Sequence, residues 1–223
     1  MKKENQIEKI RQEIKEAFSA SSFKKGERES YQSPSGHYRM ETQNYWLSSG
    51  WDLTKVEIYD HASGDKLFEF FGNDEHFFHE WFIKNNHEYL ICAEDLFGGQ
   101  TVIDLTKRKM ASSSPGEDGF IWTDFHLSPD GNTLATIGCY WGSPYMIKIY
   151  DFRAPLSLPL RELNIIELLD NDEVITGWKD NETLKTKGIK REREIEKFEN
   201  GSQRMKIISE TPAEREISVK HGR

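Results

Sequence analysis

The sequence is poor in several signals that would assign it quickly. It holds only two cysteines, Cys92 and Cys139, too few for a disulfide framework or a zinc signature. No run of about 18 apolar residues occurs, so no membrane-spanning helix is expected. The first residues, Met1-Lys2-Lys3-Glu4, are polar and lack the apolar stretch of a secretion signal, which makes a cytoplasmic location the expectation. There is no Gly-x-Ser-x-Gly elbow, phosphate-cradling glycine loop or dinucleotide fingerprint, so the common nucleophile and nucleotide chemistries have no carrier and no cofactor is expected.

Apolar residues are sparse at 36% of 223 positions, yet 12% of the chain is aromatic. Six Trp, eight Tyr and thirteen Phe can build a core, because each buries a large area. Mean hydropathy is −0.74 and 30% of residues are charged, which describes a well-solvated surface.

The net charge of −8 is unevenly spread. Lys185–Arg223 holds 11 of the 30 basic and 7 of the 38 acidic residues, leaving 19 basic against 31 acidic in the rest. An acidic body argues against nucleic acid as the partner, since phosphates require a basic face. The basic tail alternates in sign at Lys190-Arg191-Glu192-Arg193-Glu194, the pattern of a solvated, ion-paired surface.

Along the chain, Ile7, Ile10, Ile14, Ala17 and Phe18 recur at spacings of three and four, which predicts an amphipathic helix within residues 1–18. Residues 19–30 are small, polar and charged and read as a linker. From Tyr31 the pattern changes to short apolar strands between turn signals. The clearest unit runs from Phe120 to Leu163: FIWTDFHL, the tight turn Ser128-Pro129-Asp130-Gly131, TLATIGC, an aromatic loop, then YMIKIYDF. Leu160 to Leu163 supplies its fourth strand. Ser33-Pro34-Ser35-Gly36 and Ile58-Tyr59-Asp60 repeat the same anchors earlier. A degenerate copy with Tyr89-Leu90-Ile91-Cys92 and Val102-Ile103-Asp104 lies between. Asp60, Asp104 and Asp151 thus recur at spacings of 44 and 47. A fourth copy starts at Leu168, with a strand at Val174–Trp178. Met205, Ile207 and Ile208 follow the turn pair Asn200-Gly201, and residues 211–223 read as a flexible tail.

The order strand, Ser-Pro-Asp-Gly, Leu-Ala-Thr strand, polar loop and Ile-Lys-Ile-Tyr-Asp resembles a blade of the WD-repeat β-propellers, with Tyr150-Asp151 where that family has Trp-Asp. The resemblance covers about residues 31–180. It implies an all-β fold of antiparallel, blade-like repeats, partial or four-bladed, in a domain over 31–210. The Gly-His pair that usually precedes a blade's first strand is missing. Three or four units permit a ring closed by four blades, one completed by a partner or second copy, or an open array. A curved sheet or a sandwich of the same strands is the alternative architecture.

If these are blades, the loops between second and third strands share one face with the loops entering each first strand. Those loops carry Trp46 and Trp51, then Glu94, Asp95 and Phe97, then Tyr140, Trp141 and Tyr145, with Lys179 and Asp180 expected in the fourth. The entering loops add Asp74, Glu75, His76, Glu117 and Asp118. Trp46, Trp51, Asp95, Phe97, Tyr140, Trp141 and Tyr145 are therefore the candidate binding residues. Trp and Tyr anchor interfaces, and carboxylates beside them favour a basic protein or peptide partner. Aromatics at blade edges also serve to pack over neighbouring blades. Two other readings remain: a hydrolase or lyase using Asp74, Glu75, His76, Glu94 and Asp95 as acid and base, and a structural subunit that self-associates through the helix and open sheet edges. No metal centre is expected from His76 and His79, because a strand would point them to opposite faces.

Overall fold

A computed structural model describes residues 4–20, 22–94, 98–114, 119–142, 145–170, 172–198 and 202–219. The helix is present as α1 (Glu4–Ala20). Sheet 1 contains β1 (Ser22–Gln32), β2 (Tyr38–Leu47), β3 (Asp52–Asp60) and β4 (Lys66–Gly72). Sheet 2 contains β5 (His79–Lys84), β6 (His87–Cys92), β7 (Gln100–Asp104) and β8 (Lys109–Ser113). Sheet 3 contains β9 (Phe120–Leu127), β10 (Thr133–Tyr140), β11 (Tyr145–Asp151) and β12 (Arg161–Glu167). Sheet 4 has three strands, β13 (Val174–Asp180), β14 (Thr183–Lys197) and β15 (Gln203–Ser218). Each sheet is an antiparallel meander in chain order. The chain is an all-β protein of four propeller-like blades preceded by a helix.

Three apolar clusters lie between consecutive sheets. Met40, Val56, Ile58, Leu90, Cys92 and Ile103 join sheets 1 and 2. Phe82, Tyr89, Trp122, Phe125, Leu134 and Phe152 join sheets 2 and 3. Ala135, Ile147, Ile149, Ile175, Leu184 and Val219 join sheets 3 and 4. Among the described residues, no such cluster joins sheet 4 back to sheet 1. The blades therefore share an apolar core pairwise along the series, and sheet 1 presents a different face outward. Side chains alternate along a strand, so the residues between the buried ones on β2, β3 and β4 point away from sheet 2. Those residues form an ion-pair lattice: Arg28 with Glu41 and Glu57, Arg39 with Glu41 at 3.1 Å, and Lys55 and Lys66 each with Glu57 and Glu69.

The repeated aspartates have a common local task. Asp60 Oδ1 accepts from the backbone N–H of Ala62 and Ser63, each at 3.1 Å. Asp104 Oδ1 accepts from Lys107 N–H at 2.8 Å, and Asp151 Oδ1 from Arg153 N–H at 3.2 Å. Each ends a third strand and caps the turn that follows, which is the short-range bond that favours Asp at such positions.

Polar staples link successive blades at the turns between first and second strands. Ser35 reaches Glu88 from sheet 1 to sheet 2, with its N–H 3.2 Å from Oε1. Lys84 donates to the carbonyls of Gly131 (2.7 Å) and Phe152 (2.8 Å) and to Asn132 Oδ1 (3.0 Å), joining sheets 2 and 3. Asp130 N–H donates to Asn181 Oδ1 at 3.0 Å, joining sheets 3 and 4.

Two segments differ from expectation. Residues 19–30 are not a linker: most of them belong to β1, which pairs with β2 from Ser22↔Leu47 to Gln32↔Arg39. The strand is largely exposed, so it needs backbone pairing and little apolar alternation, and its composition hides it. Residues 211–219 are not a loose tail either. They continue β15, and Val219 is buried in the cluster between sheets 3 and 4. The β14–β15 pairing runs from Thr183↔Ser218 to Lys197↔Gln203, whereas β13 stops pairing at Val174↔Lys187. The outer part of this hairpin is a two-stranded ribbon with Ile195, Met205, Ile207 and Ile208 exposed.

Candidate binding surfaces

The loop end of the blades carries five of the seven expected residues among those described. Trp46 ends β2 and is 44% exposed, Trp51 is 45% exposed, and Trp141 is 60% exposed. Trp141 sits at φ +49° in the β10–β11 turn, a left-handed conformation uncommon outside glycine. Lys25 Nζ lies 5.1 Å over the Trp46 ring, and Trp51 Nε1–H donates to the Asn73 carbonyl at 2.7 Å. Tyr140 behaves differently: it packs edge-on to Phe120 with ring centroids 5.2 Å apart. Lys148 Nζ lies 5.3 Å from the Tyr140 ring. Tyr145 is half-buried beside Cys139, whose proximity pushes the Tyr145 pKa up. Asp95 and Phe97, like Glu117 and Asp118, lie outside the described residues.

The expected position of Lys179 and Asp180 changes. They end β13, and β13 is the first strand of its blade, packed beside β9 with Trp178 Nε1–H on the His126 carbonyl at 3.2 Å. Their turn meets the Asp130 turn, which places them at the end opposite the tryptophan loops. Asp170-Asn171-Asp172 imitates the turn that precedes a second strand, so β13 resembles a second strand in sequence while occupying the first place in its blade.

The acidic candidates are mostly engaged. Glu94 is 2% exposed and accepts from Arg11 of α1, with Nη2 at 2.6 Å and Nε at 2.9 Å. Arg11 also donates to Ser112 Oγ at 2.6 Å and Glu8 Oε1 at 2.7 Å, so one guanidinium fixes the helix to sheet 2. Phe18 packs between Tyr45 and Phe71 and fixes it to sheet 1. Glu75 pairs with Lys25 at 2.6 Å, which lowers its pKa. Asp74 Oδ1 accepts from His76 N–H at 2.7 Å. The Asn73 N–H reaches the Glu94 carbonyl at 3.2 Å, so these loops do meet, but their carboxylates diverge to separate cations. Glu75 and His76 line a cavity of about 310 Å³ with Glu29 and Tyr31. Among the described residues no group of three or more His, Cys, Asp or Glu is placed to hold a metal ion. Cys92 and Cys139 are buried free thiols, and burial raises the Cys92 pKa well above its usual value.

A second surface was not legible in the sequence. The first strands β5, β9 and β13 border a cavity of about 500 Å³ lined by Glu80, Trp81, Asp124, Phe125, His126 and Trp178, among others. His126 Nε2 lies 2.6 Å from Asp124 Oδ2. A bulge brings Asp124 and His126 to the cavity: Gly138 pairs with Trp122 and Ile137 with Asp124, so Thr123 is the extra residue. The bulge lets Trp122 and Phe125 both enter the core while Asp124 and His126 turn out. Glu80 stands at the rim, where burial raises its pKa against the opposing pull of the Trp81 backbone N–H and of His126.

Taken together, the fold and these surfaces define a blade-repeat protein with an aromatic loop end and an acidic, tryptophan-lined inner cavity. No protein-family profile matches the sequence. The chain is 33% identical over 133 residues to an uncharacterized protein of Acanthamoeba polyphaga mimivirus, covering 58% of this chain and 52% of that protein. It therefore spans about half the length of that relative. Solved structures similar to it include the hydrazine synthase of Kuenenia stuttgartiensis, at 14% identity over 85% of this chain and 62% of that one, with a TM-score of 0.47. The Cps50 (Swd1) beta-propeller domain of Myceliophteria thermophila matches at 12% identity, 79% and 72% coverage and a TM-score of 0.39. The periplasmic gluconolactonase PpgL of Pseudomonas aeruginosa matches at 14%, 86%, 56% and 0.38. No helix among the described residues is long and apolar enough to cross a membrane.

Proposed function

We propose that this protein is a non-catalytic binding module that docks a basic partner protein on its loop end. The observation that carries the reading is the exposure of Trp46, Trp51 and Trp141 at or beside the turns between second and third strands in two blades. A large indole left in water loses the area term that would stabilise it in a core, and interfaces are where Trp is concentrated. The acidic remainder of the chain, 31 acidic residues against 19 basic outside Lys185–Arg223, favours a partner of opposite sign. The catalytic reading finds less support, since Glu94 and Glu75 are each held by a cation rather than poised as acid and base.

The test captures partners on the tagged full chain at low and high salt, then repeats it with Trp46→Ala and Trp141→Ala. A basic protein retained by the wild type, released by salt and lost on both variants is the expected result. Identical capture by the variants, with their melting temperatures unchanged, would sink the proposal.

A further inference from the structure

We propose that the cavity between β5, β9 and β13 is a binding site for a guanidinium group, namely an arginine side chain presented by an exposed segment of the partner. The inference rests on the basic-partner reading for the source of that arginine, and it assigns the anchor to a separate site.

The lining is selective in kind. Glu80 and Asp124 bring carboxylates from two different strands, and among the described residues no lysine or arginine borders the cavity. Trp81, Trp178 and Phe125 supply aromatic surface beside them. A guanidinium is planar, weakly hydrated and always charged, so it can stack on an indole while its N–H groups reach a carboxylate in bidentate fashion. An ammonium has no plane to stack and holds its water more tightly. A neutral ligand would leave the Glu80 charge without an ion-pair partner.

Glu80 differs from the carboxylates that the fold itself pairs. Glu94, Glu75, Glu57 and Glu173 are each paired with Arg11, Lys25, Lys55 and Lys66, and Arg215 respectively. Glu80 is exposed at the rim and makes no ion pair among the described residues, and its partial burial raises its pKa. A carboxylate beside aromatic surface and without a bonded cation gains from the arrival of one, because its attraction for a cation has not yet been used inside the fold. Asp124 is oriented by His126 at 2.6 Å and Trp178 by its bond to the His126 carbonyl at 3.2 Å, so both sides of the cleft are fixed before any ligand enters. The cavity is about 500 Å³, room for an arginine side chain with some water.

The experiment titrates the full chain with a blocked Gly-Arg-Gly peptide and follows tryptophan fluorescence and heat. Parallel arms use the citrulline peptide, which keeps the shape and loses the charge, the lysine peptide, and agmatine as a free guanidine. Saturable binding of the arginine peptide is expected, with the citrulline and lysine peptides at least tenfold and threefold weaker. Glu80→Gln, a rim substitution that leaves the fold intact, should weaken the arginine peptide at least fivefold, and Trp178→Phe should weaken it less than Glu80→Gln. Equal binding of the citrulline peptide, or an unchanged affinity in Glu80→Gln, overturns the site. Agmatine binding more tightly than the peptide overturns the partner's side chain as the source. Trp141→Ala should leave peptide binding unchanged, so failure of the loop-end reading and failure of this one are read from different variants.

Discussion

Arg11 of the N-terminal helix places its Nη2 2.6 Å from Oε1 of Glu94, a carboxylate 2% exposed in the loop that leaves β6. The pair is separated by 83 residues and is what makes the helix part of the blade body. It also removes Glu94 from the acidic loop face expected from the sequence.

Arg11→Met should destabilise the protein by about 3 kcal/mol, because it leaves Glu94 buried without its cation. The double variant Arg11→Met with Glu94→Gln should recover at least half of that loss. Urea denaturation measures both, and hydrogen exchange should show faster exchange in α1 for the single variant. Equal stability of the single and double variants would mean that the pair is not the source of the loss.

Lys84 is the polar staple between sheets 2 and 3, donating to the Gly131 and Phe152 carbonyls and to Asn132. Burial lowers its pKa, yet its three donors all find acceptors within 3.0 Å. Lys84→Met keeps the stem and removes those donors, and should cost about 2–3 kcal/mol. Ile83→Ala, on the exposed side of the same strand, should change the melting temperature little.

Glu57 gives a pH signature. Burial by itself would raise its pKa, but hydrogen bonds from Lys55 and Lys66 outweigh that and bring it to about 2. The folded value lies below that of an unfolded glutamate, about 4.3, so the folded state gains stability that is fully present above that pH. The gain is lost as pH falls from about 5 toward 2. Urea midpoints measured over that window should fall in the wild type and fall less steeply in Glu57→Gln. Parallel pH slopes for the two proteins would show that the lattice on sheet 1 does not hold Glu57 ionised.

Much of the fold was legible because its signals are local. The helix announces itself through Ile7, Ile10 and Ile14. The third strands announce themselves through Asp60, Asp104 and Asp151, since each caps its own turn within three residues. Strands buried on both faces, such as Thr133–Tyr140, read plainly because both neighbours demand apolar side chains. β1 is hidden in the sequence for the opposite reason: its largely exposed side chains carry little burial pattern, and its pairing with β2 makes it a strand.

The candidate sites divide in the same way. Turn chemistry and aromatic loops fixed Trp46, Trp51 and Trp141 at one end of the blades from sequence alone. Which carboxylates stay free was decided only by tertiary structure, because ion pairs such as Arg11–Glu94 join residues far apart in the chain. The cavity of Glu80, Asp124 and Trp178 depends on three separate first strands and on a one-residue bulge at Thr123. A bulge reverses which face a side chain meets, and no periodicity read along a single strand reports that reversal. Local bonding thus determined the repeat and its turns, while the convergence of distant strands determined which charges meet and which are left waiting for a partner.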